Sequence, residues 1–149
     1  AHWTRCEELI AALPANVTAH RDGELTNDAV PAAMAAQDLM FMPSRSENFG
    51  HAIFEALCAG TPVLIGDRTP WQGLEAAKAG FDIPLPNPAA LAAAIDRLAA
   101  MTPAEYAQWR AGARAMAERF VAGSTARADM ARLFLALTGR GASPMAERA

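Results

Sequence analysis

Four short apolar runs, Val17 to His20, Leu39 to Met42, Pro62 to Ile65 and Phe81 to Pro84, alternate with segments that carry helix-start and helix-stop signals. This alternation restricts the fold more than any other feature of the chain. Each run has strand length and is bounded by Gly, Pro, Asn or Asp. Two of them, LMFM and PVLI, are almost unbroken in apolar character. A strand with one wet face alternates apolar and polar residues, so continuous apolar character suits a strand covered on both faces by helices.

The intervening signals are specific. Thr4 with Glu7, Thr69 with Gln72 and Thr102 with Glu105 have capping-box spacing, and Pro70 and Pro103 follow two of these caps at the first helical position. Asn87-Pro88 repeats the cap-then-proline pattern. Helices are therefore predicted to start near residues 4, 70, 88, 103 and, from Ser124, near 125, with Gly60, Gly80 and Gly139 marking helix ends. The order is helix and strand alternating through four strands, then three helices. That order predicts an α/β fold, an open parallel sheet with helices on both faces in an incomplete Rossmann-like arrangement, followed by C-terminal helices. In those last segments apolar residues recur at helical spacing, as in Leu91, Ile95 and Leu98 or Met130, Leu133, Phe134 and Leu137. Residues 140–149 are expected to fray. No repeat or low-complexity linker divides the chain, so 1–149 is expected to be a single domain.

Composition narrows the function classes. With 52% hydrophobic residues and a formal net charge of -3, the chain can bury a real core, and its interspersed charges offer no electrostatic footprint for nucleic acid. Cys6 and Cys58 have no Cys-x-x-Cys or His partner spacing, which argues against a disulfide framework or metal site and predicts two reduced core cysteines. No apolar stretch approaches the roughly 20 residues of a membrane span, and AHWTRCEEL lacks the layout of a signal peptide. A cytoplasmic location is expected.

In an open parallel sheet, ligands bind at the carboxyl ends of the strands, where loops pass into helix N-termini. The stretch PSRSENFGHAIFEAL occupies that position after LMFM. A loop from Ser44 to Asn48 leads into Phe49-Gly50-His51, which starts a helix predicted to run to Ala59. Unpaired N–H groups in its first turn suit a phosphate, and Gly50 lets the backbone approach closely. Glu47 and Glu55 flank that turn. Ionised carboxylates accept hydrogen bonds from sugar or ribose hydroxyls, so hydroxyls at both ends and phosphates between describe a nucleotide sugar. Each glutamate singly also fits a plainer reading, favourable helix-dipole electrostatics for one and a solvent-facing helix position for the other. His51 reads as a helix-start residue contributing its backbone, since no partner nucleophile or acid is spaced around it.

The residues Glu47-NFGHAIF-Glu55, followed by Ala56, Leu57, Ala59, Gly60, Pro62 and Val63, resemble the Glu-x7-Glu motif of retaining glycosyltransferases with two Rossmann domains (the GT-B fold), the group 1 family that includes glycogen synthases. The resemblance extends over about residues 14 to 98 and places the chain in the C-terminal, donor-binding domain, lacking that domain's first strands. It implies a hexosyltransferase of polysaccharide biosynthesis that takes a UDP- or GDP-linked nucleotide sugar, needs no metal or other cofactor, and passes the sugar to a glycan acceptor bound by an N-terminal domain. The full-length enzyme would sit in the cytoplasm or at the inner face of the membrane. Carried onto this chain, it implies that Glu47 is the catalytic contact to the donor sugar. Backbone N–H groups of Asn48, Phe49, Gly50 and His51 would hold the diphosphate or sugar, Glu55 the ribose, and Leu25 would border the base. Trp71 is a site-edge candidate.

The family's basic pair, an Arg and a Lys that grip the diphosphate, precedes the segment matched here. Arg21, Arg45 and Arg68 lie near strand ends but fit loop salt bridges equally, and none is assigned in their place. The isolated chain is therefore expected to transfer little sugar. A strand at 17–20 without its central neighbours would leave an exposed edge and invite self-association. A non-catalytic nucleotide-binding or protein-interaction module on the same fold is the alternative. A dehydrogenase is disfavoured, because no Gly-x-Gly-x-x-Gly follows a strand.

Overall fold

The computed structural model describes residues 2–124. Along the chain lie α1 (His2–Ala11), α2 (Val30–Ala35), β1 (Met40–Met42), α3 (His51–Ala59), β2 (Val63–Gly66), β3 (Gly80–Ile83), α4 (Pro88–Ala99) and α5 (Pro103–Gly123). The strands form one parallel sheet of three in the order β1-β2-β3, with Met40 opposite Val63 and Leu64 opposite Phe81. This is the predicted open α/β arrangement.

Strand β2 is buried along its whole length, and its residues divide between two apolar layers. Val63 and Ile65 join Ile53, Ala56 and Leu57 of α3 on one face, whereas Leu64 joins Phe81, Ala94, Leu98 and Trp109 on the other. The period of two along the strand sends alternate side chains to opposite faces, so an unbroken apolar run is what two-sided cover requires. Gly80 pairs with Val63 so closely that a Cβ there would lie 1.9 Å from the Val63 carbonyl oxygen. Gly80, expected to end a helix, thus begins β3.

Local signals set several helix limits. Asn87 accepts a hydrogen bond from the Ala90 N–H at the start of α4. Thr102 and Glu105 form the complete reciprocal box at the start of α5. Gly60, at φ 75°, ends α3, with its N–H bonded to Leu57 O and that of Thr61 bonded to Ala56 O. These two bonds satisfy carbonyls that the helix end would leave open.

Elsewhere tertiary contacts override the local signals. Helix α1 begins at His2, so Thr4 lies inside its first turn, and Glu7 accepts from the Trp3 indole at 2.7 Å instead of closing a box with Thr4. Residues 17–20 form no strand and are exposed. A strand needs a ladder partner for its N–H and C=O groups, and among the described residues none pairs with this run. No helix starts at 70. The Thr69 hydroxyl does take the Trp71 N–H, but Gln72 turns its amide to the carbonyls of Asp67 and Thr69, and Gly73 at φ 68° breaks the path. The Asp82 carboxylate, reaching from β3, receives the N–H groups of Gly73 and Leu74, and residues 74–78 form turns. Cys6 is half-buried and Cys58 exposed, so neither is a core cysteine. The helix predicted near 125, the end signal at Gly139 and the tail 140–149 lie outside the described residues.

Helix α5 crosses beneath the amino ends of the sheet. Its Tyr106 hydroxyl donates to Asp38 O, just before β1, and Arg110 donates to Ala35 O at the end of α2. Arg114 reaches Ala59 O at the end of α3, and Gly112 lies against the Ala77 and Lys78 carbonyls that precede β3. Cationic side chains meeting helix C-terminal carbonyls are favoured by the helix dipole. The far end of α5 reaches the carboxyl side of the sheet, where Phe120 packs on Phe49 and Trp71. No helix among the described residues is long and apolar enough to cross a membrane.

Candidate functional site

The three loops that leave the carboxyl ends of β1, β2 and β3 lie side by side. Gly66 closes β2 against the first loop, where a Cβ would stand 2.3 Å from Ser44 O. The Glu47 N–H donates to Arg68 O at 3.1 Å, tying the first loop to the second. Glu47 is half-buried and Asn48 exposed.

The turn that follows is built from behind. Phe49 is ringed by His51, Phe54, Trp71 and Phe120, with centroid separations of 4.8 to 5.9 Å. The Trp71 indole N–H donates to Phe49 O at 2.6 Å, and its ring stacks on Phe54 at 5.8 Å. Trp71 is only 3% exposed, so it is no edge contact for a ligand. It is the support that fixes the Phe49 carbonyl and turns the chain into α3.

Gly50 takes φ 75° and ψ 66°, a left-handed conformation that glycine adopts without steric cost. Among the described residues no side chain caps the first turn of α3. The opening N–H groups of a helix lack partners within it, so the turn presents donors and positive dipole charge at the sheet's carboxyl end. His51, exposed at the start of α3, packs edge-on against Phe49. Glu55 lies one turn further along, exposed, opposite the buried face formed by Ile53, Ala56 and Leu57. Burial, and after it the Glu55 carboxylate, push the Cys58 thiol up, which places the glutamate charge on the same helix face.

The fold thus brings residues 47 to 51 and Glu55 onto one loop and one helix. It does not tie Leu25 to them: that residue is 52% exposed, in an irregular stretch, and belongs to neither core cluster. A cleft of about 380 Å³, which the sequence did not single out, lies on the other side of the Glu47 loop. Pro43 and Arg45 after β1, Asp67 and Arg68 after β2, and the segment from Leu85 to Pro88 after β3 line it, with Leu91 of α4. The usable signal was topological, since every lining residue except Leu91 falls within a few positions of a strand's carboxyl end. Arg45 and Arg68 make no salt bridge among the described residues, and Arg21 instead stacks over Trp3 at 5.0 Å. Among the described residues no group of three His, Cys, Asp or Glu is placed to hold a metal ion.

Comparison with known proteins bears on this geometry. Residues 4–116 match the family described as "Glycosyl transferases group 1". A 41-residue stretch is 51% identical to a 2-deoxystreptamine glucosyltransferase of Streptomyces kanamyceticus, covering 28% of this chain and 11% of that protein. A stretch of 41 residues is also 49% identical to a 2-deoxystreptamine N-acetyl-D-glucosaminyltransferase of Streptomyces fradiae, covering 28% of this chain and 10% of that protein. The chain therefore aligns with about a tenth of the length of these relatives. Since the family match spans well over half of its residues, the chain belongs to the group 1 glycosyl transferases.

Proposed function

We propose that the loop 47–50 and helix α3 form the nucleotide-sugar-binding part of a retaining glycosyltransferase. One observation carries the reading: an uncapped helix N-terminus at the carboxyl end of a parallel sheet, entered through a left-handed glycine and flanked by Glu47 and Glu55. The N–H groups from Asn48 to His51 face the diphosphate or sugar. Glu47 accepts hydrogen bonds from the donor sugar hydroxyls and acts at the reacting end, and Glu55 accepts from the ribose hydroxyls. Leu25 offers an apolar contact to the base. A glucosyl and an N-acetyl-D-glucosaminyl transferase among the relatives support a hexose-type donor. The acceptor is a glycan or other hydroxyl-bearing molecule.

Charge develops on the leaving nucleoside diphosphate as the glycosidic bond breaks, and fixed donors already aimed at that position stabilise the transition state without reorganising. Trp71 serves this indirectly, because its bond to Phe49 O holds the turn in place before the ligand arrives. The test is an amide NMR titration of the 149-residue chain with UDP- and GDP-sugars, for wild type and Glu55→Ala. Resonances of residues 47 to 55 should shift in the wild type, and the affinity should fall in the variant. If no nucleotide sugar moves them, the assignment is wrong.

A further inference from the structure

The cleft beyond the Glu47 loop is chemically distinct from the surface around α3. It sets two guanidiniums, Arg45 and Arg68, against one carboxylate, Asp67. Neither guanidinium has a hydrogen bond or ion pair with another described residue. Other arginines have structural engagements: Arg97 pairs with Glu75, Arg110 binds Ala35 O, and Arg114 binds Ala59 O. The fork of donors on a guanidinium matches a carboxylate or phosphate in shape and charge. Two such forks converge on one cleft of about 380 Å³, within the range of small-molecule sites.

The walls narrow the ligand further. Pro43, Pro86 and Leu85 present an apolar surface, and the prolines fix their backbone angles, so the surface is held in shape without a ligand. Among the described residues no aromatic ring lines the cleft, so they offer no stacking platform for a nucleotide base there. An apolar wall beside a carboxylate and two guanidiniums matches a sugar ring: its C–H face lies on the wall, a hydroxyl donates to Asp67, and an anionic substituent meets the arginines.

We infer that this cleft binds an anionic sugar unit, its carboxylate or phosphate held between Arg45 and Arg68. Its place assigns that unit to the acceptor. The cleft opens toward the start of α4, which packs on the Leu64 and Phe81 face of the sheet, whereas α3 with Glu55 packs on the Val63 and Ile65 face. Glu47 lies between, with its N–H on Arg68 O. The assignment to the acceptor rests on the donor reading, in which Glu47 marks the sugar end of the donor, so the group beyond it is the one that receives the sugar.

Three probes test this by amide NMR on the full chain: glucuronic acid, glucose 6-phosphate and neutral glucose. At least one of the anionic sugars should shift the amides of Arg45, Asp67, Arg68 and Asn87 while glucose does not, and the tighter of the two identifies carboxylate or phosphate. The double variant Arg45→Gln/Arg68→Gln should weaken that binding by at least about tenfold, the equivalent of one lost charged contact. Both side chains are exposed and without partners among the described residues, so the spectrum elsewhere should stay unchanged. The response of residues 47 to 55 to a UDP-sugar should also survive in the double variant. The inference is overturned if neither anion moves the cleft amides, if glucose moves them as strongly, or if the double variant binds as tightly as wild type. It is equally overturned if the double variant loses the UDP-sugar response, because the arginines would then serve the donor. Cleft amides that follow glucuronic acid while residues 47 to 55 ignore every nucleotide sugar would instead refute the donor reading, and the acceptor assignment with it.

Discussion

Gly50 shows how much one residue decides. Its φ of 75° lies where a side chain costs about 1–2 kcal/mol, and a Cβ added there would stand 2.7 Å from Ile53 Cδ1. Since Ile53 is fully buried, it yields only by disturbing the α3 side of the core. Gly50→Ala is therefore expected to destabilise the chain by about 1–3 kcal/mol, read from the shift in urea midpoint. An unchanged midpoint would show that the turn adapts and that its geometry does not depend on glycine. Glu47 and Glu55 behave differently. Their positions were legible from sequence because a loop and a helix start are local features, whereas the Trp71 hydrogen bond that supports the turn between them joins residues 22 positions apart.

Among the elements, α5 is the one whose start is most fully specified and whose position matters most to the rest. Its box joins Thr102 Oγ1 to the Glu105 N–H at 3.3 Å and Glu105 Oε2 to the Thr102 N–H at 2.8 Å. Thr102→Ala should cost about 1 kcal/mol at neutral pH. The Thr102 N–H and then its hydroxyl hold the Glu105 carboxyl below the usual glutamate range. A depressed carboxyl contributes stability above its unfolded value, roughly 4.3, and that contribution is lost as pH falls through the lower folded value. Acidification through that window should therefore destabilise wild type more steeply than Glu105→Gln, compared by urea denaturation at several pH values. Parallel loss in both proteins would show that the box carries no proton linkage.

At the level of the whole molecule, the two ends of the sheet differ among the described residues. Among the described residues, α5 covers the amino end with Tyr106, Arg110 and Arg114, and the carboxyl end carries the loops and the cleft. Arg45 and Arg68, whose side chains have no partner among the described residues, line the cleft toward α4 and not the first turn of α3. Stabilising a leaving diphosphate calls for fixed cations at the place where charge develops. The isolated chain is accordingly expected to transfer little or no sugar in an assay with a UDP- or GDP-sugar and a glycan acceptor, even where it binds the donor. Measurable transfer would show that the charge on the diphosphate is met by groups within this chain.

By itself the sequence determined β1, β2 and β3, the C-terminal limit of α3 and the starts of α4 and α5. Each rests on interactions within a few residues: continuous apolar character, a cap, a proline, a left-handed glycine. Only the tertiary structure decided the rest. Val17 to His20 read as a strand, but a strand exists through a ladder to another segment, and the run stays unpaired among the described residues. Residues 70 to 79 read as a helix, but the Asp82 carboxylate takes the N–H groups of Gly73 and Leu74. Trp71 became a core residue, and Arg45, Asp67 and Arg68 became neighbours across a cleft, because packing and the parallel register bring distant loops to one end of the sheet. Local preferences are properties of a short segment and survive in the sequence, whereas burial and charge clustering belong to pairs of segments and arise when the sheet forms.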